Sequence, residues 1–124
     1  MMKQYREVLE MDIDMKQIVL CRRRILLVIL LNFSDWLCTV TLLRYNGFFE
    51  ANPLMVNLLD KPFLCFAVKC ILPLILMSYI FYALPISSNS IVKAVNIIMI
   101  VLGVIYLLIN ILHIFNFVIL FNMQ

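Results

Sequence analysis

The sequence predicts an all-α, polytopic membrane protein with three transmembrane helices, an N-terminal amphipathic helix and a short interfacial helix on the outer side. Of its 124 residues, 65% are hydrophobic and 14% are charged, whereas soluble domains are nearer half apolar and about a quarter charged. Three runs are almost free of charge: residues 25–43, 62–84 and 91–121. A helix needs roughly 20 apolar residues to cross a bilayer core, so each run is read as a span of one transmembrane domain, residues 25–121.

Residues 1–24 form a charged lead-in to the first span. Apolar residues recur there at about helical spacing, which is typical of an amphipathic helix on the membrane surface, although a frayed polar segment fits almost as well. The run that follows lacks a small-residue cleavage site, so it is interpreted as a retained span rather than a signal peptide.

The distribution of positive charge predicts the orientation in the cell membrane. Lysine and arginine accumulate in the short cytoplasmic segments of membrane proteins. Seven such residues flank the spans on one side and two on the other: Lys3, Arg6, Lys16, Arg22, Arg23, Arg24 and Lys93, against Arg44 and Lys61. The N-terminus is therefore predicted to be cytoplasmic and the C-terminus to lie outside.

A polar stripe follows one face of the first span. Asn32, Asp35 and Thr39 are spaced at i, i+3 and i+7, positions that a helix places on one side. Polar side chains on a spanning helix face protein rather than lipid, and an ionisable group at this depth usually has a partner or a task. At about 1.5 Å per residue, Asp35 lies roughly 13 Å below Arg44, near the middle of the bilayer.

Lys69 is the one charged residue of the second span. By the same helical rise it lies about 12 Å below Lys61, so its depth matches that of Asp35. Two unpaired charges at one depth would each be costly, whereas a pair neutralises itself. We therefore predict an Asp35–Lys69 contact, direct or through water; the alternative is that Lys69 extends to the outer interface. Pro73, one turn further on, predicts a kink.

The outer connection, residues 44–61, contains the turn signal Asn46-Gly47 and a second short motif. In that motif Asn52 suits a helix cap and Pro53 the first helical position, so a short interfacial helix over 53–59 is predicted. Glu50 has two interpretations, a solvated loop acid or a carboxylate directed back at the helix bundle, and the sequence leaves both open.

The third span exceeds the thickness of the bilayer core, so it must tilt, break near Gly103 or protrude. Asn96, Gly103 and Asn110 recur every seven residues and form a small, polar seam that suits packing against the other helices. His113 follows Asn110 by three residues and is predicted near the outer end, at about the level of Glu50. A lone histidine beside asparagine is more often a hydrogen-bonded structural residue than a catalyst or a ligand.

Several classes of function gain no support. The net charge of +3 is small and the basic residues cluster beside a span, which argues against nucleic-acid binding. The four cysteines form no Cys-x-x-Cys pair and are interpreted as small buried hydrophobes, so no metal site and no cofactor are predicted. Motifs of zinc proteases, phosphate-binding loops, serine hydrolases and dinucleotide enzymes are absent from the sequence.

The polar residues described above occur in an order that resembles a family of small bacterial and archaeal integral membrane proteins, classified only as a domain of unknown function. The order is Asn32-x-x-Asp35-x-x-x-Thr39, then Gly47, then Glu50-x-Asn52-Pro53, then Lys69. The resemblance covers about residues 32–84 and implies no established activity, substrate or cofactor. It implies that these positions form one constellation.

Two functions from different classes fit these observations. The first is a non-enzymatic structural, partner or regulatory membrane component, in which Asp35 and Lys69 form a buried pair that fixes which helices meet. The second is an intramembrane enzyme or carrier whose polar site opens outward. The candidate functional residues are Asn32, Asp35, Thr39, Glu50, Asn52, Lys69 and His113.

The two functions make different demands on the structure. A cavity lined by both Asp35 and Glu50 favours the enzyme or carrier, whereas dry, fully paired side chains favour the structural component. Three spans make a thin bundle, so a homo-oligomer or a larger membrane partner fits the chain in addition to the lipid bilayer.

Overall fold

The computed structural model describes residues 1–45, 47–50, 53–57 and 60–122, with the backbone alone for residues 3, 5–10, 12, 13 and 54. All described elements are helical, as predicted. In chain order they are α1 (Met2–Leu42), α2 (Pro53–Val56), α3 (Pro62–Phe66), a π-helical turn (Ala67–Ile71), α4 (Leu72–Ala83), a 3₁₀ turn (Leu84–Ile86) and α5 (Asn89–Asn122). Three stretches are long and apolar enough to cross a membrane: Asp14–Leu42, Pro62–Ile86 and Asn89–Asn122.

The N-terminal segment differs from the prediction in one respect. It is helical, but α1 continues without a break from Met2 to Leu42, so there is no separate amphipathic helix before the span. The stretch of this helix that is long and apolar enough to cross a membrane lies within Asp14–Leu42, which contains the predicted boundary at residue 25. The arginines at that boundary do not end the helix, because arginine is a good helix former. Arg22 and Arg24 also bond polar groups of the neighbouring helices.

Helix α1 is the element against which the other two spans pack. The buried core draws on all three spans: Ile18, Cys21, Ile25 and Val28 from α1, Met77 and Leu84 from the second span, and Val92 and Met99 from α5. The α1 residues follow one another in steps of three and four, which is the spacing of helices packed side by side. Large apolar side chains elsewhere on α4 and α5 are exposed, as a lipid solvent permits.

The predicted seam of α5 faces α1. Asn96 Oδ1 accepts a hydrogen bond from Arg24 at 2.7 Å, and Asn110 Nδ2 donates to the Leu31 carbonyl at 3.1 Å. Gly103 lies between them, beside Val28. The helix does not break at this glycine: α5 is one continuous helix of 34 residues. The seam therefore fixes the rotation of α5 toward α1 along most of the helix.

A π-helical turn precedes Pro73, the residue at which the sequence predicts a kink. Within this turn the Leu72 N–H bonds the Ala67 carbonyl, five residues earlier. Pro73 has no N–H to offer to the Lys69 carbonyl, its α-helical partner four residues before. Asn32 of α1 supplies the missing donor, with Nδ2 at 2.9 Å from that carbonyl oxygen.

Pro85 creates the same requirement at the other end of the second span. It has no N–H for the Phe81 carbonyl, and Arg22 Nε donates to that carbonyl at 3.3 Å. The Arg22 guanidinium also lies over the Phe81 ring, 4.7 Å from its centre. An unpaired carbonyl in hydrocarbon costs several kcal/mol, so α1 stabilises the second span at Pro73 and at Pro85.

The connection between α1 and α3 agrees in part with the prediction. Gly47 has a φ of 102°, the left-handed conformation that glycine adopts readily, and lies in a turn; Asn46, the other residue of the predicted turn, lies outside the described residues. The predicted helix over 53–59 is seen as α2, Pro53–Val56. The proposed cap Asn52 and the end of the predicted helix lie outside the described residues.

The hydrogen bond between Asn32 and the Lys69 carbonyl predicts that the cost of removing Asn32 depends on whether residue 73 is proline. We expect Asn32→Ala to lower the free energy of unfolding by about 1–3 kcal/mol, because it leaves a buried carbonyl without a donor. In a Pro73→Ala background the restored N–H offers a partner to the same carbonyl, so Asn32→Ala costs less than half as much. The measurement is unfolding of the detergent-purified protein followed by circular dichroism.

The exposed Asn57 provides the matched control, since Asn57→Ala changes the same group at the surface and leaves stability within about 0.5 kcal/mol. An equal cost of Asn32→Ala in both backgrounds would contradict the assignment of Asn32 as the partner that replaces the missing proline N–H.

Candidate functional site

Asp35 is the centre of a polar cluster that joins all three spans. Its Oδ2 lies 3.1 Å from Lys69 Nζ and its Oδ1 lies 2.7 Å from His113 Nε2. Lys69 belongs to the π-helical turn of the second span and His113 to α5, so one carboxylate of α1 contacts both neighbours. The Asp35 side chain is 7% exposed. The contact between Asp35 and Lys69 that the matched depths predict is present.

The three residues of the polar stripe on α1 all contact Lys69. Asn32 bonds its backbone carbonyl, Asp35 pairs with its ammonium, and Thr39 Oγ1 accepts a hydrogen bond from Nζ at 3.2 Å. The Thr39 hydroxyl is oriented by donating to the Asp35 carbonyl at 2.8 Å. Lys69 is thereby held inside the bundle, which excludes the alternative in which its side chain extends to the interface.

His113 uses one ring nitrogen and leaves the other without a partner. An ionised carboxylate only accepts hydrogen bonds, so the contact at 2.7 Å makes His113 Nε2 the donor to Asp35. Nδ1 is buried and has no hydrogen-bond partner among the described residues. A buried nitrogen without a partner costs free energy. The described residues therefore satisfy only one of the two ring nitrogens of His113.

A cavity of about 620 Å³ lies beside this cluster. It is lined by α1, the second span, α5 and the connection that follows α1, and it is partly open to the surface. Six of the seven candidate functional residues line it: Asn32, Asp35, Thr39, Glu50, Lys69 and His113. The seventh, Asn52, lies outside the described residues.

Glu50 is brought to the cavity by the connection that follows α1. It lines the same cavity as Asp35, together with its neighbours Phe48 and Phe49 and with Met55 of α2. The Glu50 side chain is partly buried. The place of Glu50 in the lining favours a carboxylate directed back at the bundle over a solvated loop acid.

Sequence reasoning missed two polar residues of α5 that line the cavity. Tyr106 precedes His113 by seven residues and Asn116 follows it by three, so all three lie on one face of the helix. The same periodicity that identifies the seam through Asn110 could have found them. The apolar wall residues carry no such signal, because they resemble the lipid-facing residues of the same helices.

The charges around the cavity determine which chemistry it accommodates. Its lining includes two acids, Asp35 and Glu50, one lysine, Lys69, and one histidine, His113. Asp35 and Lys69 neutralise each other as an ion pair. Among the described residues, no group of three His, Cys, Asp or Glu side chains is placed to hold a metal ion. The arrangement is therefore suited to binding a polar molecule through hydrogen bonds and charge.

Comparison with known proteins identifies a family whose function is unknown. A family model described as a domain of unknown function, DUF5658, matches residues 26–120. The match includes the whole second span, parts of the first and third spans, and every residue that lines the cavity. No curated protein and no solved structure matches the chain.

Proposed function

We propose that this chain, which belongs to the DUF5658 family, is a multi-pass membrane protein that binds a small amine-bearing ligand in the cavity beside Asp35. The observation that carries the proposal is that cavity, about 620 Å³ in volume and lined by Asp35, Glu50, Lys69 and His113 together. It favours the carrier or enzyme over the purely structural component.

The size of the cavity is itself an argument. Ligand sites typically occupy about 300–1,000 Å³, are lined mainly by apolar residues and contain a few convergent polar groups. The cavity beside Asp35 has this volume and this kind of lining.

The charge balance favours a cationic ligand that donates hydrogen bonds. Asp35 and Lys69 neutralise each other as an ion pair, and Glu50 is the second acid of the lining, so the formal charges of these two acids and one lysine sum to −1. A primary amine is complementary to this environment, because it brings a positive charge and three N–H donors.

The contacts that Asp35 already makes favour ligand binding rather than catalysis. Both of its carboxylate oxygens are engaged, one by Lys69 and one by His113. A general base must accept a proton from the substrate, and Asp35 could do so only by giving up one of these partners. We therefore assign the chain to carriers, or to the binding subunits of larger membrane assemblies, rather than to enzymes.

A second candidate is the non-enzymatic structural component. The observation that favours it is the same double engagement of Asp35, since a buried pair that fixes helix positions needs no ligand. The two candidates differ over Glu50: the structural component gives it no role in binding, whereas the carrier requires its charge.

Thermal unfolding separates these candidates. We expect ethylammonium chloride to raise the Tm of the protein, purified in an uncharged detergent, by about 4 °C or more above sodium chloride of equal concentration, because a ligand that binds the folded state stabilises it. Glu50→Gln should abolish this difference. Asp60→Asn, the same acid-to-amide change at an exposed position of the connection, should retain it.

Equal Tm values of the wild-type protein in the two salts would contradict amine binding. So would a difference that Glu50→Gln leaves unchanged. Either result favours the structural component.

The proposal includes an orientation, with the N-terminus in the cytoplasm and the C-terminus outside. It is supported by the excess of lysine and arginine before the first span and beside Lys93. We expect alkaline phosphatase fused to the C-terminus to be active in a bacterial host, because that enzyme matures outside the cytoplasm, and a C-terminal green fluorescent protein to be dark. The reverse pattern would contradict the orientation.

A further inference from the structure

A second cleft, of about 220 Å³, lies beside the polar cavity, and its walls are mostly aliphatic and aromatic. It is formed between α1 and the second span, with contributions from Phe33 and Leu30 on one side and Ile71 and Leu74 on the other. Three of these side chains, Leu30, Phe33 and Leu74, are more than two-fifths exposed. The cleft is therefore open toward the surface that lipid covers.

The polar cavity and the apolar cleft are adjacent. They share three wall residues, one from each span: Asn32, Pro73 and Tyr106. The boundary between them lies where the π-helical turn and Pro73 interrupt the regular second span. A molecule that extends past this boundary would have one end beside Asp35 and Lys69 and the other end between Phe33 and Leu74.

From this arrangement we infer that the ligand is a single-chain amphiphile, with a primary amine in the polar cavity and a hydrocarbon chain in the apolar cleft. The inference rests on the proposed function, which places the amine beside Glu50. The cleft is larger than the ~150 Å³ cavity that accommodates a benzene molecule in another protein's core, so it has room for several methylene groups.

The two halves of the ligand have different roles. A hydrocarbon chain gains little by leaving a bilayer for the cleft, because lipid tails are as apolar as the protein wall. The favourable part of the affinity therefore comes from the amine and the acidic cavity, whereas the cleft has to leave space for the chain attached to the amine, and a larger side chain there would weaken binding. The cleft has room for part of one hydrocarbon chain, since its volume is about 220 Å³.

The chain contains a natural reporter for an occupant of this cleft. Trp36 is its single tryptophan. The Trp36 ring lies 4.7 Å from the centre of Phe66 and 5.7 Å from that of Phe33, and both phenylalanines line the cleft. Bromine quenches tryptophan fluorescence at short range, so a brominated hydrocarbon chain in the cleft should quench Trp36.

The experiment titrates hexadecylamine, brominated near the middle of its chain, into the protein held in nanodiscs of unbrominated lipid. The matching brominated alcohol and brominated carboxylic acid carry the same chain with a different head group. We expect saturable quenching of Trp36 by the amine, with half-saturation at a mole fraction roughly tenfold below that of the alcohol or the acid, in keeping with the selectivity of sites that pair a ligand's polar group.

One variant and its control test whether the hydrocarbon chain lies in the cleft. Ile71→Phe places a larger side chain at the wall of the cleft and should raise the half-saturation for the amine by roughly tenfold. Ile75→Phe is the matched control, because Ile75 is 63% exposed and lines neither cavity. Circular dichroism checks that both variants are folded, and the comparison of head groups needs no variant.

Quenching that is equal for the three head groups and rises linearly with mole fraction would overturn the inference, because it would reflect ordinary contact with lipid. Equal half-saturation in the two phenylalanine variants would overturn the location in the cleft. If ethylammonium still raises the Tm while the brominated amine fails to quench saturably, the chain assignment is wrong and the amine site stands. If neither effect is seen, both proposals are wrong.

Discussion

A carboxylate inside an apolar layer has to be neutralised by the protein, because lipid cannot solvate it. Asp35 meets this requirement with Lys69 from the second span and His113 from α5. Since the two partners belong to different helices, one side chain constrains the depth and the rotation of both against α1. Apolar contacts between spans discriminate weakly, because a leucine gains about as much from lipid as from another helix. The charged contacts therefore specify how the three helices meet.

The same requirement explains why the second span is irregular beside Asp35. The π-helical turn carries Lys69, and the proline after it leaves the Lys69 carbonyl without its usual donor. Asn32 satisfies that carbonyl from α1, so one stripe of α1 binds both the backbone and the side chain of Lys69. Pro73, which follows this turn, lines both cavities.

Much of this arrangement follows from depth and periodicity. The lengths of the apolar runs identify the three spans, and counting residues from the membrane ends brings Asp35 and Lys69 to one level. His113 was harder to place, because α5 is longer than the bilayer is thick and its depth cannot be counted from either end. Glu50 could not be assigned because its position depends on the path of a connection rather than on a helical repeat. The continuity of α1 was missed because three arginines resemble a boundary, although they find polar partners within the bundle.

The dependence of the fold on Asp35 is measured most directly by a double-mutant cycle on the detergent-purified protein, with Asp35→Asn, Lys69→Met and the double variant. Removing one partner leaves a buried charge, so each single change should lower the free energy of unfolding by about 3–5 kcal/mol. The double variant should lose far less than the sum, with a coupling of roughly 2–3 kcal/mol. Two single variants as stable as the wild-type protein, or costs that simply add, would show that the contact between Asp35 and Lys69 does not hold the helices together.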